Sequence, residues 1–127
     1  MAYFHAIIWI DHHKAVVWSF GEDEQSKAVV KAPDQHAHAH LRKSPHGGHR
    51  AAGDHEFFGE VLESLEGAQM LLIIGPAQTK EEFATFLRTR HPQVGSLIVG
   101  VENADHPTDA QLLAYARKHF KILERMI

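Results

Sequence analysis

The sequence predicts one α/β domain built on a mixed five-stranded sheet flanked by helices. Three observations carry that expectation. The first third of the chain shows the two-residue alternation of strands, two later stretches are short continuous apolar runs, and the segments around them carry apolar residues at helical spacing. A length of 127 residues supports one hydrophobic core, and 44% hydrophobic with 23% charged residues is an ordinary globular composition.

The elements follow in order. His5 to Asp11, rich in isoleucine and carrying Trp9, is a first strand. Ala15 to Phe20 is a second, with Val16, Trp18 and Phe20 alternating onto one face, and Asp11-His12-His13-Lys14 is the polar turn that makes the two a hairpin. Trp9 and Trp18 read as core residues of that hairpin, because their neighbours alternate with them as a buried face would. Gly21 to Gln25 is another polar turn and Ser26 to Lys31 a third strand. Pro33-Asp34 ends the sheet signal. Residues 35 to 53 then hold one large apolar residue, Leu41, and no periodicity, which predicts a long flexible histidine-rich loop.

From Asp54, a good N-cap residue, Phe57, Phe58, Val61, Leu62 and Leu65 fall at helical spacing, and Gly67 suits the position just past the helix end. Met70 to Ile74 is a buried strand closed by Gly75-Pro76. Thr79 and Glu82 have capping-box spacing and open a second helix with Phe83, Phe86 and Leu87 inward, stopped by His91-Pro92. Leu97 to Val101 is the last strand. Pro107 and Thr108 open a third helix that buries Leu112, Leu113, Ala116 and Phe120. The order is βββαβαβα, in which the last two strands, joined by a helix, should run parallel with a right-handed crossover. That is the order of the ribonuclease H-like architecture, over one domain spanning residues 1–127.

Composition excludes several function classes. The chain has no cysteine, so disulfides and thiolate metal sites are ruled out. No basic leader precedes the first apolar run, and no apolar run approaches membrane-spanning length, so a cytoplasmic protein without membrane association is expected. Neither a dinucleotide fingerprint nor a Walker-A spacing occurs. Net charge is −3, unlike a general nucleic-acid binder, but it is unevenly placed. Residues 35 to 53 contain Arg42, Lys43 and Arg50 and no carboxylate; subtracting that +3 leaves −6 on the rest of the chain. Five of the twelve histidines share the window and add charge as pH falls.

Three chemistries compete for these residues. Gly47-Gly48 in a basic segment lets the backbone approach a phosphate or ribose closely, with Arg42, Lys43 and Arg50 neutralising phosphates, His46 beside them and His49 available as a general base. The plain alternative is a solvated loop with turn glycines. His36, His38 and His40 alternate with alanines, so in an extended segment all three imidazoles face one side, a spacing able to hold Zn²⁺ or Ni²⁺ at a high cost in ordering entropy. Asp11, Glu60 or Glu63, and Asp105 sit near places where a two-metal nuclease holds Mg²⁺. Against that stand the absence of a carboxylate at Gly75-Pro76 and the ordinary turn and cap roles of Asp11 and Asp105.

The segment Leu71-Leu72-Ile73-Ile74-Gly75-Pro76-Ala77-Gln78-Thr79-Lys80-Glu81-Glu82-Phe83 resembles a strand-turn-helix of the middle domain of archaeal and eukaryotic peptide-chain release factors, and of the related rescue factor Pelota. Their strand runs into Gly-Pro-Gly-x-Thr-Lys-x-x-Phe; here Ala77 replaces the second glycine. The chain is also similar to a bacterial translational machinery protein family, through Trp9-Ile10-Asp11-His12, the His-rich Gly-Gly segment and Asp105-His106-Pro107-Thr108-Asp109. The resemblance implies a ribonuclease H-like fold with a basic loop, ending in Gly-Gly-Gln, before the first helix. Gly47 and Gly48 match the glycines, and His49 stands where the glutamine that helps place the attacking water would be.

It further implies a translation-associated protein, release- or rescue-like, that contacts the ribosome or tRNA through Arg42, Lys43, His46, Gly47, Gly48 and Arg50. The alternatives are an ester or peptidyl-tRNA hydrolase using His49, and a metal-binding module through His36, His38 and His40. A chain of middle-domain length carries no codon-reading domain, so another translation factor or self-association is expected to supply specificity.

Overall fold

The computed structural model describes residues 5–21, 24–33 and 48–126, with backbone alone for 48–55 and 121–126. Its elements are β1 (His5–Ile10), β2 (Lys14–Phe20), β3 (Gln25–Lys31), α1 (Gly48–Glu63), β4 (Met70–Gly75), α2 (Thr79–Arg90), the one-turn α3 (Pro92–Gly95), β5 (Ile98–Asn103) and α4 (Asp109–Met126). The five strands form one mixed sheet in the order β3-β2-β1-β4-β5. β1 and β3 each pair antiparallel with β2, whereas β1–β4 and β4–β5 are parallel. The expected mixed sheet flanked by helices is present, with α3 as an addition after the His91-Pro92 break.

Helices cover both faces of the sheet, which is why its central strands are apolar throughout rather than alternating. Ile7 and Ile8 of β1 point to opposite faces, and both are fully buried. On one face Ala6, Ile8, Ile10, Val17, Leu71 and Ile73 pack against Phe57, Phe58 and Val61 of α1 and Phe83, Phe86 and Leu87 of α2. The ring of Phe58 lies 5.3 Å from that of Phe83 and 5.4 Å from that of Phe86. On the other face Ile7, Trp9, Leu72 and Ile74 meet Leu112, Ala116 and Phe120 of the single helix α4.

That two-to-one distribution of helices explains a difference in β2. Val16, Trp18 and Phe20 do share a face, but the side chains it buries most completely are Ala15 and Val17, on the opposite face. One helix cannot span five strands, so Trp18 is only half-buried, with the Lys27 ammonium 5.7 Å from its ring centre. α4 is instead anchored to β3 by polar contacts: Lys27 pairs with Asp109 at 2.7 Å and Arg117 donates to Gln25 at 3.4 Å.

Two helix starts differ from expectation. α1 begins at Gly48, not at Asp54, so residues 48–53 of the expected loop are helical and Asp54 is interior. The reason is that Arg50, Ala51 and Ala52 are good helix formers and no proline lies between Pro45 and Asp54, so the helix grows back despite the cost of Gly53. Residues 35–47 lie outside the described residues. The Thr79–Glu82 capping box is also absent: Thr79 is itself helical and buried, and Gln78 precedes the helix without a side-chain cap. The reciprocal box occurs at α4, where the Gln111 amide donates to Thr108 Oγ1 at 3.1 Å and the Thr108 amide donates to Gln111 Oε1 at 2.9 Å.

Tyr115 ties α4 to β5 by donating its hydroxyl proton to Glu102 Oε1. Partial burial, then the bond to Glu102 and the carboxylate's charge, push the phenol up to about 12. A raised pKa means the folded state holds the proton more tightly, so this contact stabilises below pH 10 and is lost as pH rises from 10 towards 12. Glu102→Gln should lower the Tyr115 ionisation midpoint, read by tyrosinate absorbance, while burial keeps it above that of a free tyrosine. An unchanged midpoint would exclude the carboxylate as a cause. Among the described residues no helix is long and apolar enough to cross a membrane.

Candidate functional site

Topology brings the unusual parts of the sequence to one end of the sheet. β1, β4 and β5 are mutually parallel, and β3, two antiparallel steps from β1, runs with them. All four therefore end at the same rim. The chain enters the histidine-rich segment from this rim, just after β3, where the Ala32 amide donates to the His13 carbonyl at 2.8 Å. It returns through α1, which must lead to the start of β4 at the opposite rim. Sixteen residues of helix span about 24 Å, enough to cross the sheet, so α1 starts at the carboxyl-end rim. α2 and α4 follow β4 and β5 directly and start there too.

Three helix N-termini thus converge on one rim, each carrying the positive end of a helix dipole. Side-chain contacts hold the strand ends together. The carboxylate of Asp11 accepts from the amides of His13 and Lys14 at 2.8 and 2.9 Å, which is the turn role expected of it. The Trp9 indole donates to the Asp105 carbonyl at 2.6 Å, and the His106 ring lies 5.1 Å from that of Trp9. The Ala104 amide donates to the Gly75 carbonyl at 2.9 Å.

The Gly75-Pro76-Ala77-Gln78 turn lies at the centre of this rim. Lys80 is only 4% exposed, and its ammonium donates to the Ala77 carbonyl at the turn. A cation in the first turn of a helix opposes the dipole, and Glu81 and Glu82 beside it offset that cost. Pro76, Ala77 and Gln78 are left exposed. Three carboxylates of the rim have close partners, Asp11 in its turn, Asp109 on Lys27 and the exposed Asp105 beside His106 Nδ1 at 3.4 Å, while Glu81 and Glu82 at the start of α2 stay exposed. Exposed His12, His13, Lys14, Lys31 and the helix ends leave a surface suited to an anionic polymer.

Of the residues singled out from the sequence, Arg42, Lys43, His46 and Gly47, and the trio His36, His38 and His40, lie outside the described residues. Gly48, His49 and Arg50 form the first turn of α1, so the second glycine of the pair is helical rather than part of a loop. Among the described residues no three His, Asp or Glu side chains gather to hold a metal ion. The nuclease reading fails on this count, because Asp11 serves its turn, Asp105 is exposed beside His106, and Glu60 and Glu63 are exposed on α1. Sequence reasoning missed the burial of Lys80 and the Trp9–Asp105 contact. The Thr-Lys pair after Gly-Pro was the available signal for the first, and a contact across 96 positions had none.

No family model matches the chain. Over 50 residues it is 40% identical to the Protein pelota homolog of Methanocella arvoryzae, a match covering 37% of this chain and 14% of that protein. The whole chain aligns with 32% of Archaeoglobus fulgidus Pelota, at a TM-score of 0.58 and 19% identity. Thermoplasma acidophilum Pelota matches 90% of the chain with a TM-score of 0.57 and 13% identity, again over 32% of the solved protein. The archaeal translation termination factor aRF1 matches 88% of it with a TM-score of 0.59 and 12% identity, over 32% of its own length. The fold is therefore that of a Pelota- and release-factor-like domain, and the chain spans about a third of those solved proteins.

Proposed function

We propose that this chain is a translation-associated, release- or rescue-like factor that contacts the ribosome or tRNA through the basic segment between β3 and α1. The observation that carries this reading is placement. The end of β3 and the start of α1, which flank the segment holding Arg42, Lys43, His46 and Gly47, both lie at the rim where three helix N-termini meet, with Gly48 and Arg50 in the first turn of α1. Phosphates suit such a surface, since cations and helix N-termini both favour them. The likeness to Pelota and aRF1 supplies the translational context.

Binding of tRNA should weaken steeply with salt. Three phosphate contacts give a slope of about −2 in a plot of log K against log salt. Replacing Arg42, Lys43 and Arg50 together with alanine should flatten that slope and weaken low-salt binding at least tenfold, as measured by fluorescence anisotropy. A slope untouched by the triple variant would place the contact elsewhere.

One observation favours a hydrolytic version. Because α1 starts at Gly48, His49 sits in the first turn of a helix, where backbone amides and the helix dipole favour an oxyanion. His49 would take a proton from water as its oxygen attacks the ester carbonyl. It would return the proton to the tRNA 3′ oxygen as the ester C–O bond breaks. Single-turnover hydrolysis of peptidyl-tRNA on ribosomes should then fall about 100-fold in His49→Ala. A native rate at background would remove the hydrolytic version and leave the binding one standing.

A further inference from the structure

α4 leaves part of its sheet face uncovered, and what it leaves is chemically specific. β3 is an outer strand among the described residues, and its side chains on the α4 face are Gln25, Lys27, Val29 and Lys31. Opposite them on β2 stand Phe20, Trp18, Val16 and Lys14. Val29 is 48% exposed, which is high for a valine on a sheet face. Beside it a cleft of about 220 Å³ runs between β2, β3 and the start of α4, walled by Val16, Val29, Pro107 and Leu112 and edged by Lys14 and Lys27. The one carboxylate lining it, Asp109, is already paired with Lys27. This margin is cationic and apolar on a chain whose net charge is −3.

We propose that the outer edge of β3 takes an extended peptide whose side chains alternate between acidic and apolar along one face, at every second residue, added to the sheet as a sixth strand. The added backbone would pair with the outward-facing amides and carbonyls of β3, which have no strand partner among the described residues. On the α4 face its carboxylates would meet Lys31 and Lys27, the latter shared with Asp109, and the apolar side chain two residues from each would lie against Val29 and enter the cleft. A second copy of this chain is a poor occupant. Antiparallel pairing of two β3 strands about Val29 sets Lys27 of one opposite Lys31 of the other, and like charges directly opposed destabilise a sheet. RNA is also disfavoured, because Trp9 is 3% exposed and the Lys27 ammonium sits over the half-buried ring of Trp18, so neither indole offers a free face for base stacking. The inference is independent of ribosome binding through the basic segment.

The probe is the N-acetylated, amidated heptapeptide Thr-Asp-Thr-Val-Thr-Asp-Thr, which when extended puts both aspartates and the valine on one face, titrated into the full chain at low ionic strength and followed by amide NMR. It should bind at least tenfold more tightly than its lysine-for-aspartate counterpart, shift residues 25–31 and protect their amides from exchange. Val29→Asp, at an exposed position that leaves the core intact, should weaken it at least tenfold, and Lys31→Glu about fivefold. Val99→Asp on the opposite edge strand should change nothing. Equal binding of the two peptides, shifts confined to β5, or indifference to Val29→Asp would overturn the proposal. So would an oligo(U) RNA that binds residues 25–31 where the acidic peptide does not.

Discussion

Gly75→Val should lower the stability of the domain by at least about 3 kcal/mol, the upper end of overpacking costs. A Cβ at position 75 would lie 2.2 Å from the Ile10 carbonyl oxygen and 3.3 Å from its carbon. Both are backbone atoms of the neighbouring central strand, so no rotamer change relieves the contact. The strand pair must separate at its carboxyl end, beneath fully buried Ile8, Ile10 and Ile73. For a domain of this size that loss corresponds to a fall in Tm of roughly 10 °C, read by circular dichroism. Gly59→Ala is the matched control. Its Cβ meets nothing within 4 Å, and alanine in a helix interior should add about 0.5–1 kcal/mol. Equal melting temperatures for the two variants would mean that β1 and β4 do not approach at Gly75.

The central strands were legible because burial on both faces leaves a mark in composition. Runs such as Leu71-Leu72-Ile73-Ile74 have no surface face to alternate with, and Gly75-Pro76 closes the run. The start of α1 was not legible, since the residues ahead of Asp54 neither break a helix nor carry the apolar residues that would announce one. Capping went wrong for a related reason. Thr79 and Thr108 both precede an acid or amide by three positions, and only packing decides that the first points into the core while the second stays free to cap its helix.

The candidate site divides in the same way. Asp11 was correctly readable as a turn residue, because its interaction is local: its carboxylate bonds amides two and three positions on. The rim as a whole was not readable. It exists because four parallel strand ends coincide, a property of strand order rather than of any segment. The Gly-Pro-Ala-Gln-Thr-Lys run drew attention through its likeness to release factors, and its physical content, a buried ammonium held to the turn by the Ala77 carbonyl, came only with the fold.

We propose that the basic segment between β3 and α1, not the acidic body, contacts the translation apparatus. The body carries a formal −6 and should be repelled by ribosomal RNA, whereas the segment with Arg50 carries +3. Exchanging residues 36–47 for a glycine-serine linker of equal length keeps Pro33 and α1 at their spacing and removes Arg42, Lys43 and Gly47. It also removes four of the five clustered histidines. The most direct measurement is therefore cosedimentation of the full chain and the linker variant with ribosomes at low and high salt. The native chain should pellet with ribosomes at low salt and release at high salt, and the linker variant, equally folded by circular dichroism, should stay in the supernatant at both. Cosedimentation of the linker variant at the native level would contradict the account, because binding would then reside in the body.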